Sequence, residues 1–311
     1  MVYYPQLKKL PPSFDVLIPF LHYEKELENE LALQNIKILF KTEKIFLVEN
    51  LSVKPIWSQD WWPKSRAIPF QSRSDVTKTL KAQPVLGHYY DNDHKLGKNL
   101  IKDIRNFEKK RIAFKSDFKF KYFAWTLIED LIILCEHPSS RYPSGWHEFA
   151  EDKTFPPNRA YLKLWEVFTL YDIHLEKSES VIDVGSSPGG WSWVLSGLSH
   201  KVYSYDRADL DPKIAAISNI AFSKQDAFNL DYDKLKDCTW LFSDIICTPA
   251  RLYELVTDCM KHSNIQNFVC TLKFKGDCDF DVIKKFLEID HSRVVRLYQN
   301  KNEVTWIRQM K

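Results

Sequence analysis

The chain has 311 residues, long enough for two domains, and its 44% hydrophobic and 27% charged content is that of an ordinary globular protein. No apolar run reaches membrane-spanning length and Met1-Val2-Tyr3-Tyr4-Pro5 does not begin a secretory signal, so no membrane association and a cytoplasmic location are expected. A net charge of +3 says little about partners, and six cysteines without a C-x-x-C pair suggest neither a zinc site nor a disulfide framework.

In chain order, residues 14–50 predict a compact α+β pattern: a strand over Phe14–Leu21, a helix over Tyr23–Gln34, and strands at Ile36–Phe40 and Ile45–Val48. Alone they make a small accessory domain. Trp57, Trp61 and Trp62 follow, better suited to packing against that sheet than to stacking on bases. Residues 64–94 are polar and turn-rich, with a helix start at Ser72-Arg73-Ser74-Asp75. From Lys95 to Lys121 ten basic residues, Lys109 and Lys119 among them, face only Asp103, Glu108 and Asp117, with Phe107, Phe114, Phe118 and Phe120 interleaved. That stretch reads equally as a basic strand-and-helix surface for phosphates or as a solvated face. Phe123–Cys135 predicts one or two buried strands, and the proline-rich residues 137–157 a linker. The expected division is therefore 1–136, the linker 137–157, and a second domain over 158–311.

The second domain centres on Val181-Ile182-Asp183-Val184-Gly185-Ser186-Ser187-Pro188-Gly189-Gly190-Trp191, a strand, a tight turn and the start of a helix. In an open α/β sheet such a turn lies where ligands bind. Neither G-x-G-x-x-G nor G-x-x-x-x-G-K-[ST] is present, which sets back dinucleotide oxidoreductases and P-loop enzymes. The next apolar run, Lys201–Tyr205, ends in Asp206, an acceptor suited to paired ribose hydroxyls. Beyond it, strands at Asn219–Phe222, Trp240–Ile246, Asn267–Phe274, Val294–Gln299 and Val304–Ile307 alternate with helices near 190–198, 248–262 and 279–288, after a helix over Arg159–Tyr171. The fold class is α/β, a doubly wound and mostly parallel sheet. Only Asn300-Lys301-Asn302-Glu303 separates the last two strands, so they should form an antiparallel hairpin.

The segment Asp183-x-Gly185-x-x-Pro188-Gly189-Gly190-Trp191 closely resembles the cofactor loop of the FtsJ-type ribose 2′-O-methyltransferases. Arg159-Ala160-Tyr161-Leu162-Lys163-Leu164, the strand Trp240–Asp244, the strand Phe268–Lys273 and Asn302-Glu303-Val304-Thr305 resemble that family's catalytic segments, in order. The resemblance implies a Rossmann-like sheet of seven strands with the last antiparallel, S-adenosylmethionine as cofactor, and a Lys163, Asp244, Lys273 and Glu303 tetrad. It implies Lys273 as base, Asp244 and Lys163 as positioning groups, and Glu303 orienting a lysine or the ribose. For the cofactor it implies Gly185, Ser187, Pro188, Gly189, Gly190 and Trp191 around the methionine moiety, Asp206 on the ribose, Asp226 near the adenine amino group and Asp183 toward the amine, directly or through water.

Within that group the chain is most similar to the RlmM-type enzymes, through the helix around Lys163, the P-G-G-W loop, Asp244 followed by Pro249-Ala250, and the closing E-V-T. That similarity implies a THUMP-like RNA-binding region at the N-terminus and methylation of a cytidine ribose in large-subunit ribosomal RNA, naked or in an assembly precursor. Asn158 stands where the family has serine. Two other functions stay open: a 2′-O-methyltransferase of tRNA or an mRNA cap, and a non-catalytic RNA-binding or adenosylmethionine-sensing protein. Oligomeric state is open as well.

Overall fold

The computed structural model describes residues 5–107, 110–116 and 121–310. Two compact units emerge, Met1–Arg111 with Asp117–Glu148, and Ile112–Ser116 with Phe149–Lys311.

The first unit is built on one sheet of β1 (Phe14–Pro19), β2 (Ile38–Lys41), β3 (Phe46–Val48), β4 (Ser58–Pro69), β5 (Leu86–Tyr89), β6 (Tyr122–Ile128) and β7 (Leu131–Cys135). Its order is β2-β3-β1-β4-β7-β6-β5, antiparallel except for β5 on β6. Helices α1 (Glu24–Leu33), α2 (Arg73–Lys81) and the short α3 (Lys95–Leu100) complete it. The predicted start of α2 is a capping box: the Ser72 hydroxyl accepts from the Asp75 N–H at 3.2 Å, and the Asp75 carboxylate accepts from the Ser72 N–H at 2.9 Å.

Residues 14–50 are therefore not a small domain by themselves. The twelve-residue β4 pairs with β1 through its first half and with β7 through its second, fusing them to a larger sheet. Trp57 and Trp62 are fully buried, and the Trp61 indole donates to Asp15 at 2.7 Å, so packing is their role. Among its described residues the basic stretch forms α3, a 3-10 turn and irregular chain. Within it Lys98 is neutralised by Asp91 and Asp93, acids that precede the stretch, and Phe114 stacks on Trp165 in the second unit's own core. Glu108, Lys109, Asp117, Phe118, Lys119 and Phe120 lie outside the described residues.

The second unit contains α4 (Tyr161–Leu170), β8 (Ser180–Val184), α5 (Gly190–Ser196), β9 (Lys201–Asp206), α6 (Pro212–Ala215), β10 (Ile220–Lys224), β11 (Cys238–Ser243), α7 (Pro249–His262), β12 (Asn267–Lys273), α8 (Phe280–Leu287), β13 (Ser292–Val295) and β14 (Glu303–Arg308). Sheet order is β10-β9-β8-β11-β12-β14-β13, and β14 alone runs against its neighbours. The chain winds outward from β8 through β9 to β10, then returns to the other side of β8 as β11. That reversal places a crevice at the carboxyl ends of β8 and β11. The strand predicted over Trp240–Ile246 ends at Ser243, so Asp244–Thr248 is a loop leading into α7.

Candidate active site

The turn after β8 is shaped by close approach. Gly185 has φ +73°, and a Cβ there would lie 2.6 Å from the Ile245 Cα. Gly189 has φ +115°, and its Cβ would lie 2.6 Å from the Ile214 side chain. Both positions require glycine for their backbone and their space. Trp191 is buried, and its indole donates to the Ala160 carbonyl at 2.9 Å, which ties α5 to the start of α4. That tie positions Lys163, one turn further along α4.

A cleft of about 790 Å³ opens over the carboxyl ends of the strands. At one end lie Gly185, Ser187 and Asp206; Asp226 and Phe228 form a wall, and Asp244 and Lys273 lie on the other side of the turn. The Asp206 carboxylate accepts from the backbone N–H groups of Ser187 and Ala208, each at 2.9 Å. Two backbone donors fix its plane and leave acceptor capacity for a ligand hydroxyl pair. Asp226 is paired with Arg207 and accepts from the Phe228 N–H at 3.2 Å; the Arg207 guanidinium beside it holds its carboxyl below the usual aspartate range.

Of the residues assigned around the turn, Gly185, Ser187, Gly190, Trp191, Asp206 and Asp226 line the cleft, whereas Asp183, Pro188 and Gly189 lie behind it. Asp183 is fully buried and accepts from the Ser192 hydroxyl at 2.6 Å, while its Oδ1 has no hydrogen-bond partner among the described residues. Burial raises its pKa to about 7. Its carboxyl anchors the first turn of α5 to β8.

Lys163, Asp244, Lys273 and Glu303, far apart in sequence, converge. The Lys163 ammonium lies 3.0 and 3.1 Å from the two Asp244 oxygens and 2.6 Å from Glu303 Oε1. Lys273 reaches the Asp244 carbonyl at 2.6 Å and its carboxylate at 3.1 Å. Pairing of β12 with β14 sets Lys273 directly opposite Glu303. Lys163 and Glu303 are nearly enclosed, whereas Lys273 is partly exposed and lines the cleft. Burial alone would lower the Lys163 pKa, yet Asp244 and Glu303 together push it above the ordinary lysine value. A lysine so placed stays protonated, and the cluster's outward lysine is Lys273.

Sequence reasoning missed several cleft residues. Arg251 lies with its guanidinium 3.9 Å from the Phe228 ring centroid, and Arg207 engages Asp226. Neither belongs to a recognisable spacing; only their position one residue after Asp206 and two after Pro249 hints at the cleft. Behind the cluster, Glu303 Oε1 also accepts from Asn300 Nδ2 and the Lys301 N–H, each at 3.3 Å. Among the described residues no group of three or more His, Cys, Asp or Glu could hold a metal ion.

Residues 156–303 match the model of the FtsJ-like methyltransferase family. Ribosomal RNA large subunit methyltransferase M of Methylococcus capsulatus is 24% identical over 199 residues, covering 59% of this chain and 53% of the relative. The protein of the same name from Saccharophagus degradans is 32% identical over 123 residues, covering 38% and 35%. An uncharacterized protein of Methanocaldococcus jannaschii is 31% identical over 165 residues, covering 49% and 46%. The chain thus spans about half the length, or less, of these curated relatives. The matched segment holds the whole cleft and every member of the lysine–carboxylate cluster, and it is this segment that is similar to the FtsJ-like methyltransferases.

Proposed function

We propose that the chain transfers a methyl group from S-adenosylmethionine to a ribose 2′-hydroxyl of RNA, at a cytidine of large-subunit ribosomal RNA. The observation that carries this reading is the convergence of Lys163 and Lys273 on Asp244, with Glu303 closing the far side of Lys163. The cleft suits the cofactor: Asp206 offers an oriented carboxylate, Asp226 a second, and the buried Ser186 hydroxyl lining it has no partner among the described residues.

When bound, the cofactor supplies a methyl group already activated by its sulfonium. The chain must then hold the ribose oxygen in line and take its proton. Lys163, kept charged between two carboxylates, fixes the Asp244 carboxylate and lends positive potential where negative charge develops on oxygen. Lys273, tethered through the Asp244 carbonyl and facing the cleft, is the proton acceptor in its neutral form. Glu303 holds Lys163 and is itself held by Asn300 and the Lys301 backbone. The N-terminal unit serves as the THUMP-like RNA-binding region, and ribosomal RNA or an assembly precursor is the partner.

Lys273→Ala tests the assignment. Loss of a general base reduces methyl transfer to RNA by about 10²–10⁴-fold, while S-adenosylmethionine binding by calorimetry stays within about threefold, since Lys273 contributes no cofactor contact in this account. A variant that transfers methyl groups at the wild-type rate would remove Lys273 from the chemistry.

A further inference from the structure

The cleft lining carries features that a methionine-and-adenosine cofactor does not require. Ile246, two residues after Asp244, is 86% exposed, the largest exposure among the large hydrophobics of the described residues. Phe274, immediately after Lys273, also lines the cleft and is half-buried. Two cations, Arg251 and Lys275, line the same cleft. Among the described residues neither has a carboxylate within ion-pair distance, although Arg251 is near enough to Asp226 to help hold that carboxyl low.

Both rim segments are held in place. The loop bearing Ile246 is pressed against Gly185, where even a methyl group would not fit, and Thr248 caps α7 by accepting from the Arg251 N–H at 3.4 Å. Asn302 donates to the carbonyls of Phe274 at 3.1 Å and Gly276 at 2.6 Å, and the Phe274 N–H returns to the Asn302 carbonyl at 3.1 Å. Arg251 holds its guanidinium 3.9 Å from the Phe228 ring centroid. It occupies the first turn of α7, where the helix dipole disfavours a cation. An exposed isoleucine and an arginine in the first turn of a helix are each a small local cost, and Ile246 lies two residues from Asp244.

We propose that this rim is a nucleotide subsite: Ile246 and Phe274 form an apolar platform for the base at or next to the target ribose, and Arg251 and Lys275 bind its flanking phosphates. Apolar contact for a base and cations for phosphate, placed around the group that must meet the ribose, are the chemistry of one single-stranded nucleotide. The inference rests on the proposed RNA methylation, and it adds the residues that hold the substrate rather than react with it. They are positioning residues, so they act on substrate affinity more than on turnover.

The test measures binding apart from chemistry. A fluorescent single-stranded oligoribonucleotide is titrated onto the full chain at several salt concentrations, and methyl transfer to total RNA is followed in parallel. Lys275→Ala and Arg251→Ala each weaken binding about three- to tenfold and reduce the slope of log K against log salt by about 0.7. Ile246→Ser raises KM for RNA with a smaller change in kcat, Ile246→Leu restores it, and S-adenosylmethionine affinity of Lys275→Ala and Ile246→Ser is unchanged. Unaltered RNA affinity and salt slope in these variants, or no oligoribonucleotide binding by the wild type, overturns the subsite. A wild type that binds with the stated variant effects but never methylates RNA overturns the proposed reaction and leaves the subsite standing.

Discussion

Lys163 is enclosed by two carboxylates from opposite sides, Asp244 after β11 and Glu303 at the start of β14. Replacing it with methionine leaves Asp244 with Lys273 but strips the nearly enclosed Glu303 of its cation, and breaking a buried pair in this way costs about 3–5 kcal/mol. Lys163→Met is therefore expected to lose methyl transfer and to lower the urea midpoint of the second unit together; wild-type stability would contradict the enclosed pairing. Asp183 gives a pH signature. Its pKa is raised to about 7 in the folded state, so between about pH 4 and pH 7 the folded carboxyl keeps a proton that the unfolded chain has released. This contribution to stability is fullest below the unfolded pKa and is lost as pH rises through about 7. Asp183→Asn, which can still accept from Ser192, should flatten that slope, by on the order of 4 kcal/mol across the window; an unchanged profile from pH 4 to pH 8 would contradict it. At this scale the sequence was legible where a charge ends an apolar strand, as at Asp206, Asp244 and Lys273. Lys163 and Glu303 became candidates only through resemblance, because a buried lysine on an apolar helix has no local signal. Arg251 and Phe228 had none either, since their meeting depends on α7 and the segment after β10 sharing one wall of the cleft.

Among the elements, β4 shows where hydrophobic periodicity fails. Its inward positions Ser58, Asp60 and Trp62 are buried, and two of these are polar. The Ser58 hydroxyl donates to the Ile18 carbonyl at 3.4 Å, and Asp60 accepts from the Trp61 N–H at 2.8 Å and the Trp62 indole at 2.9 Å. Buried polar groups satisfied within the sheet erase the apolar alternation that marks a strand. The strand predicted over Val294–Gln299 stops at Val295 for a related reason. Asn300 captures the Leu297 N–H at 2.6 Å, and the Arg296 guanidinium binds the carbonyls of Asn300 and Lys301, so this apolar stretch becomes a turn that supports Glu303. The turn after β8 was legible because its constraint is steric and only glycine meets it. Gly185→Ala forces a Cβ to within 2.6 Å of the Ile245 backbone at φ +73°, so cofactor affinity should fall at least tenfold. The left-handed strain alone costs about 1–2 kcal/mol. Calorimetry with S-adenosylmethionine reads the first effect, and unchanged affinity would show that the turn tolerates displacement.

Across the molecule, two sheets of seven strands form two units, and the cleft is built by the second alone. Alternating strands and helices made that sheet readable from sequence, including the reversed β14. The first unit was less so, because β4 was hidden and its pairing joins strands distant in sequence. A ligand that binds only the folded second unit adds about 2.7 kcal/mol to its stability at a hundred times its dissociation constant. S-adenosylhomocysteine should therefore slow hydrogen exchange in the second sheet, at β8, β9 and β11, while leaving the protection of β1, β4 and β7 unchanged. The most direct test of the central claim is chemical identification of the product. Methyl-labelled S-adenosylmethionine is incubated with the chain and deproteinised ribosomal RNA, which is then hydrolysed in alkali. A methyl group on the 2′-oxygen blocks that oxygen's attack on the adjacent phosphodiester, so the label is expected in alkali-resistant dinucleotides that carry cytidine, and to vanish with Lys273→Ala. Label recovered instead in methylated bases of ordinary mononucleotides would contradict ribose methylation and the role given to the Lys163, Asp244, Lys273 and Glu303 cluster.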